Sequence, residues 1–400
     1  MKKQTGKKTL YVHIGMAKTG TTALQSFLWD NRVLLREKGY CYPDMRCAYP
    51  NTSLVNERRN GHFLINDVRV DGSLEHREAD EAMYCTGIEE VVRLFKTCDN
   101  IVLSDESIWA STYKQRENLW EELREDGKKY GFEVKIIVYL RRQDQYMISL
   151  YRQKIARRKN NGSQKTWEDF ISNISGVRQL NYFKKLECMR KVLGKEALIV
   201  CRYERGGFFE GSLYADFLHR IGLELTDEYE ITEQRTNKSL LGNTVEMKRI
   251  LNELPDFNSD DDFVMREILY AGGEISKRQV GAELFSKQEA ESFLKKYEKS
   301  NESVARTYFG DGRPLFDNTV EDLPKYDRNN PYMVEDVLRF AAIGLKYLRM
   351  EQAELKKQIW QLEKQVAEHR KEAGSVRKEL YATRDKLHHP IRALASRLSR

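Results

Sequence analysis

Apolar residues along this chain fall into short runs separated by stretches with helical spacing. Leu10, Val12 and Ile14 form the first run, Gly15 to Thr22 supply a flexible turn, and Leu24, Phe27, Leu28 and Leu35 recur at helical intervals until Gly39. Ile101–Ser104 is a second run. Val134–Leu140 is a third, nearly continuous as in a parallel strand buried on both faces. Ala197–Tyr203 is a fourth, and Phe209, Leu213, Phe217, Leu218 and Ile221 follow it as a helical stripe that Gly222 ends. Strands alternating with helices predict an α/β fold, with a mainly parallel sheet flanked by helices.

From Leu345 the period changes. Leu348, Leu355, Ile359, Leu362, Val366, Ala373, Val376, Leu380 and Leu387 fall on an alternating spacing of three and four, which Gln352, His369 and Thr383 interrupt. This imperfect heptad pattern predicts a C-terminal coiled coil and hence a homo-oligomer through residues 345–387, without fixing the number of strands. A single long helix folding back on the body is the alternative. After Pro390, Ile391, Leu394, Ala395 and Leu398 share one face and Arg392, Arg397 and Arg400 the other, a short basic amphipathic helix. Such a helix suits an anionic membrane surface, the end of the coiled coil or a partner protein. The pattern divides the chain into a core over 1–225, a helical extension over 226–344, the coiled coil over 345–389 and the tail helix over 390–400.

Charge sharpens this division. Residues 345–400 hold 14 Lys and Arg against 7 Asp and Glu, so the chain's whole net charge of +7 lies in the tail and the body is neutral. A neutral body without a reading motif argues against nucleic-acid binding. No apolar run approaches the roughly 20 residues of a membrane helix, and the basic N-terminus lacks a signal peptide's apolar core. The expected location is therefore the cytoplasm, in contact with the inner face of the membrane if the tail helix binds there. The six cysteines, at 41, 47, 85, 98, 188 and 201, lack metal spacing and read as reduced, buried thiols. Zinc-hydrolase, paired-cysteine and serine-nucleophile motifs are absent from the sequence.

The turn after the first strand carries the most chemistry. A strand feeding a glycine-rich loop and a helix N-terminus presents unpaired backbone N–H groups and partial positive charge, which suit a phosphate. Gly15 and Gly20 keep the G-x-x-x-x-G spacing of a nucleotide triphosphatase loop, but Thr21 stands where its lysine belongs and Lys18 lies inside the loop. This arrangement resembles the 5′-phosphosulfate loop of sulfotransferases that use 3′-phosphoadenosine 5′-phosphosulfate (PAPS), with a pattern close to P-K-[ST]-G-T-T. Ala17 replaces the usual proline. Ala23 replaces the tryptophan that stacks on adenine in many cytosolic members, which leaves the adenine contact unassigned.

A second segment is similar to the same family's 3′-phosphate motif, an arginine after a strand followed eight residues later by a serine. Arg141 and Ser149 match it; Arg142 does not. The resemblance implies a P-loop-like core, PAPS as donor, and Lys18, Thr19, Gly20, Thr21, Thr22, Arg141 and Ser149 as donor-binding residues, with no metal. The Tyr203–Glu204 pair followed by a helix also resembles that core. Asn237–Leu240 and Ser300–Ser303 look like recurring segments of bacterial sulfotransferase-like chains, without an assignable role.

Sulfuryl transfer needs a proton acceptor for the attacking hydroxyl or amine, and a cation for the leaving phosphate. Glu106, directly after the Ile101–Ser104 strand, suits the first role and Lys18 the second; carbohydrate sulfotransferases often use a glutamate base. Asp105 and His62 are rivals for the base. The basic insertion holding Arg58, Arg59, His62 and Arg69 is a candidate acceptor region. The resemblance thus implies sulfation of a carbohydrate, such as a cell-surface glycan or its precursor. The alternatives are a P-loop kinase or nucleotide hydrolase, and a coiled-coil scaffold on a degenerate nucleotide fold.

Overall fold

The computed structural model describes residues 7–49, 56–69, 77–111, 116, 118–156, 163–173, 180–232, 240–254, 267–273, 282–388, 391 and 395. The chain packs as two units, Met1–Phe257 with Arg278–Arg328, and Asn258–Lys277 with Asn329–Arg400. The segment 237–239 and most of the expected tail helix, Pro390 and Arg392 included, lie outside the described residues.

The first unit is α/β. Strands β1 (Thr9–His13), β2 (Tyr40–Cys41), β5 (Asn100–Ser104), β6 (Glu133–Leu140) and β7 (Leu198–Arg202) form one parallel sheet in the order β2-β5-β1-β6-β7. Strands β3 (Asp67–Arg69) and β4 (Arg77–Ala79) form a separate antiparallel pair. Leu10, Val12, Ile101, Leu103, Ile136 and Val138 are inaccessible, as are Val102, Ile137 and Tyr139 at the alternate positions. Both faces of the sheet are therefore covered, which is why its strands read as apolar runs.

Helix α1 (Thr21–Asp30) and helix α9 (Leu213–Arg220) cover one face through Leu24, Phe27, Leu28, Phe217 and Leu218. The helix expected from the 24–35 stripe is interrupted at Asn31. Its buried side chain donates to Glu230 O at 2.8 Å and accepts from Glu230 N at 2.8 Å, and a second short helix, α2 (Arg32–Glu37), starts after it. The predicted 209–222 helix is likewise shorter, because a 3₁₀ turn occupies Phe209–Gly211 and Ser212 caps α9 by accepting from Ala215 N. Of the cysteines, Cys41, Cys98 and Cys201 are buried and Cys47, Cys85 and Cys188 exposed, so the expectation of buried thiols holds for half of them.

The second unit contains one long helix, Met333–His388. At 1.5 Å per residue its 56 residues span about 84 Å. It starts twelve positions before the first heptad residue, with Glu335 and Asp336 in its first turn. Seam residues Leu355, Ile359, Leu362 and Val366 are each about half exposed, and Val376, Leu380 and Leu387 more so. No helix among the described residues is long and apolar enough to cross a membrane.

Candidate active site

Strand β1 lies at the centre of the sheet. The chain leaves it first towards β2 and β5 on one side and later towards β6 and β7 on the other, so the carboxyl ends of β5, β1 and β6 border the crevice where the strand order reverses. Open α/β sheets bind their ligands at that point. The three segments singled out from the sequence, 15–22, 105–107 and 141–149, follow these three strands.

The 15–22 loop is held by its backbone. Gly15 and Gly20 both adopt φ +74°, and Lys18 adopts φ +68°, a region that costs a side chain about 1–2 kcal/mol. Such strain persists where surrounding contacts over-determine it. Here the Arg141 guanidinium donates to Lys18 O at 2.9 Å. A Cβ on Gly15 would meet Glu106 Cα at 2.6 Å, and one on Gly20 would meet the Leu213 side chain at 2.4 Å. Both glycines are thus required by conformation and by close approach.

Gly20 is the N-cap of α1, no side chain caps that helix, and no acidic residue lies in its first turn. Its positive end therefore has no counter-charge from its own sequence. The threonines divide their roles. Buried Thr19 donates its hydroxyl to Met16 O at 2.6 Å, which closes the turn of the loop; Thr21 donates to Glu106 Oε2 at 2.6 Å, and Thr22 is exposed.

Asp105 and Glu106 differ sharply despite being adjacent. Asp105 is inaccessible; its Oδ1 accepts from Arg59 at 2.7 Å and from Ser107 N at 2.7 Å, and its Oδ2 lies 3.2 Å from His62 Nδ1, outside hydrogen-bond alignment. Burial works to raise its pKa, but the contacts with His62 and Arg59 outweigh it and hold the carboxyl below its ordinary value. A carboxylate so paired, capping the helix over Ser107–Ser111, is a poor proton acceptor. Asn60 delivers Arg59 and His62 to it. Its side chain donates to Pro43 O and Val102 O and accepts from Ser104 N at 2.8 Å, which fixes this segment along β5. Glu106 is half-buried and faces the loop through Thr21.

On the β6 side, Tyr182 donates to Arg141 O at 2.6 Å and the Arg141 guanidinium lies 5.7 Å from the Tyr203 ring centroid. Arg141 Nε has no hydrogen-bond partner, and burial depresses its pKa. Arg142 is fully engaged by the Asp144 carboxylate and the carbonyls of Asp317 and Thr319, in keeping with its exclusion from the spacing. Ser149 is a half-buried residue in helix α6 (Gln143–Ala156). The Ser300–Ser303 segment acquires a structural role: Asn301 and Gln143 exchange hydrogen bonds at 2.7 and 3.1 Å, which fixes the start of α6 behind Arg141.

Arg141 and the 15–22 loop are thus joined at the uncapped end of α1, and the Glu106 carboxylate is bonded to that end through Thr21. Among the described residues no cluster of three His, Cys, Asp or Glu side chains is arranged to hold a metal ion. The Arg141–Lys18 link and the Thr21–Glu106 bond leave no trace in the sequence, since each joins residues far apart in the chain and only the fold brings them together.

No protein-family model matches this chain. It is similar to an uncharacterized protein of the archaeon Archaeoglobus fulgidus, 29% identical over 180 residues. Those residues are 44% of this chain and 46% of that protein, so the likeness spans a little under half of either.

Proposed function

We propose that this protein is a cytoplasmic PAPS-dependent sulfotransferase built on a P-loop-like core. The observation that carries the reading is the hydrogen bond from Arg141 to the strained carbonyl of Lys18, which joins two anion-binding segments at the uncapped end of α1. A donor carrying both a 5′-phosphosulfate and a 3′-phosphate offers one anionic group to each of these segments.

In this reading Lys18, Gly20 and the backbone of Thr19 to Thr22 hold the 5′-phosphate, and Arg141 with Ser149 selects the 3′-phosphate. A hydroxyl or amine of the acceptor attacks sulfur in line. The bond from sulfur to the bridging oxygen breaks, its electrons remain on the leaving 5′-phosphate, and Lys18 with the helix dipole stabilises that charge. Glu106 takes the acceptor's proton. The acceptor class is a carbohydrate, with Arg59 and His62 beside Asp105 at the Glu106 edge of the crevice, while Arg58 turns to Ser26 and Asp30 of α1. The exposed seam of the C-terminal helix pairs with another copy of the chain.

The test is incubation with ³⁵S-labelled PAPS over a panel of saccharides, amines and phenols. Label should pass to at least one acceptor, and Lys18→Ala and Glu106→Gln should each lower the transfer by about a hundredfold or more. Label remaining in PAPS throughout, together with magnesium-dependent ATP hydrolysis, would overturn the reading.

A further inference from the structure

Ser149 is followed on its face of α6, three positions later, by Arg152. The Arg152 side chain is only 18% exposed, and its contact with Glu283 Oε2 is 3.5 Å, the outer limit of a hydrogen bond. Its Nε has no hydrogen-bond partner. Arg141 has the same deficit at its own Nε. Burial depresses the Arg141 pKa and the neighbouring Arg152 charge adds to the depression; burial also depresses Arg152, against the pull of Glu283.

The backbone of Glu283 is held on both sides, so its carboxylate reaches Arg152 from a fixed Cα. Its N–H donates to Pro324 O at 2.9 Å and its carbonyl accepts from Tyr326 N at 2.8 Å. Two enclosed guanidiniums, one just before α6 and one on it, each keep an Nε without a hydrogen-bond partner; the Asp144 carboxylate that acts on Arg141 is engaged by Arg142, and Glu283 meets Arg152 only at 3.5 Å. A tetrahedral dianion has enough acceptor oxygens for both forks.

We infer that Arg152 is a third ligand of the phosphate that Arg141 and Ser149 bind, and that Glu283 is the internal anion which the phosphate displaces from it. This rests on the donor reading proposed above.

The experiment is calorimetric titration of 3′-phosphoadenosine 5′-phosphate (PAP) and of AMP, which lacks the 3′-phosphate, into the full-length wild type, Arg152→Ala, Arg152→Lys and Glu283→Gln. Arg152→Ala should weaken PAP roughly tenfold to hundredfold and leave AMP within about threefold. Arg152→Lys should restore part of the loss. Glu283→Gln should tighten PAP severalfold, since the competing carboxylate is gone. A purely structural tie between α6 and Glu283 predicts lower thermal stability in both variants and no selective change in PAP affinity, and that pattern overturns the inference. If Arg152→Ala does not fold, the sign of the Glu283→Gln effect decides. PAP binding indifferent to Arg152 overturns this inference alone; a wild type that binds neither nucleotide overturns the donor reading with it.

Discussion

Thr21 and Glu106, 85 positions apart in the chain, are joined by a 2.6 Å hydrogen bond in which the threonine hydroxyl donates to Oε2. The bond ties the first turn of α1 to the carboxylate that follows β5. It holds one carboxylate oxygen and leaves the other for an incoming proton. Glu106→Gln retains an acceptor for Thr21 but cannot take that proton. Transfer should fall by about 10²–10⁴-fold, while PAP affinity stays within about threefold of wild type. Single-turnover assays beside PAP titration measure both, and a wild-type rate in this variant would remove Glu106 from the chemistry.

The close approach of Gly15 to Glu106 predicts a second result. Gly15→Ala introduces a Cβ 2.6 Å from Glu106 Cα at a residue with φ +74°. Strain and overpacking together should cost about 2–5 kcal/mol. Gly131→Ala is the control, because its φ of +75° is the same strain with nothing within 4 Å. Urea denaturation should show Gly15→Ala as clearly the worse of the two. Equal losses would mean that backbone conformation alone sets the cost.

His13 makes stability depend on pH. Burial pushes its pKa down to about 4, although the charge of Asp105 pulls the other way, and its Nδ1 lies 2.9 Å from Ser104 Oγ. The native imidazole is therefore neutral where the unfolded one, at about 6.5, takes up a proton. Its contribution is complete above pH 6.5, falls as the pH drops towards 4, and reaches a loss of about 3 kcal/mol. His13→Asn removes the titrating group. Denaturation at pH 7 and pH 4 should show the wild type losing that much more than the variant. Identical pH profiles would contradict a buried neutral imidazole.

Much of the sheet was legible because a strand buried on both faces has to be largely apolar, as Val134–Leu140 is apart from Lys135 near its start. The loop was legible because glycine spacing reports the backbone directly, and Gly15 and Gly20 do adopt positive φ. Other features depend on residues distant in sequence. Asn31 looks like an ordinary helical position until Glu230 comes to face it. Two-residue β2 has no periodicity to read. Asp105 and Glu106 are chemically alike in sequence, and it is His62 and Arg59, delivered from 43 and 46 positions away, that distinguish them. Arg152 reads as a routine helix charge until its burial is known.

The exposed heptad seam predicts self-association. Sedimentation of the wild type at micromolar concentration should give at least twice the 47.0 kDa of one chain. Ile359→Asp with Leu362→Asp should return it to a single chain, since both side chains are more than half exposed and no fold contact is lost. A wild type that sediments as one chain would contradict the pairing.

A crevice that takes PAP has to recognise a nucleotide with two separate phosphate groups. Magnesium-free calorimetric titration of PAP into wild type, Arg141→Ala and Ser149→Ala, with AMP and ATP–magnesium as comparisons, measures it directly. PAP should bind the wild type more tightly than either comparison, and both substitutions should erode the preference over AMP. Tighter binding of ATP with magnesium, or a PAP affinity indifferent to Arg141, would contradict it.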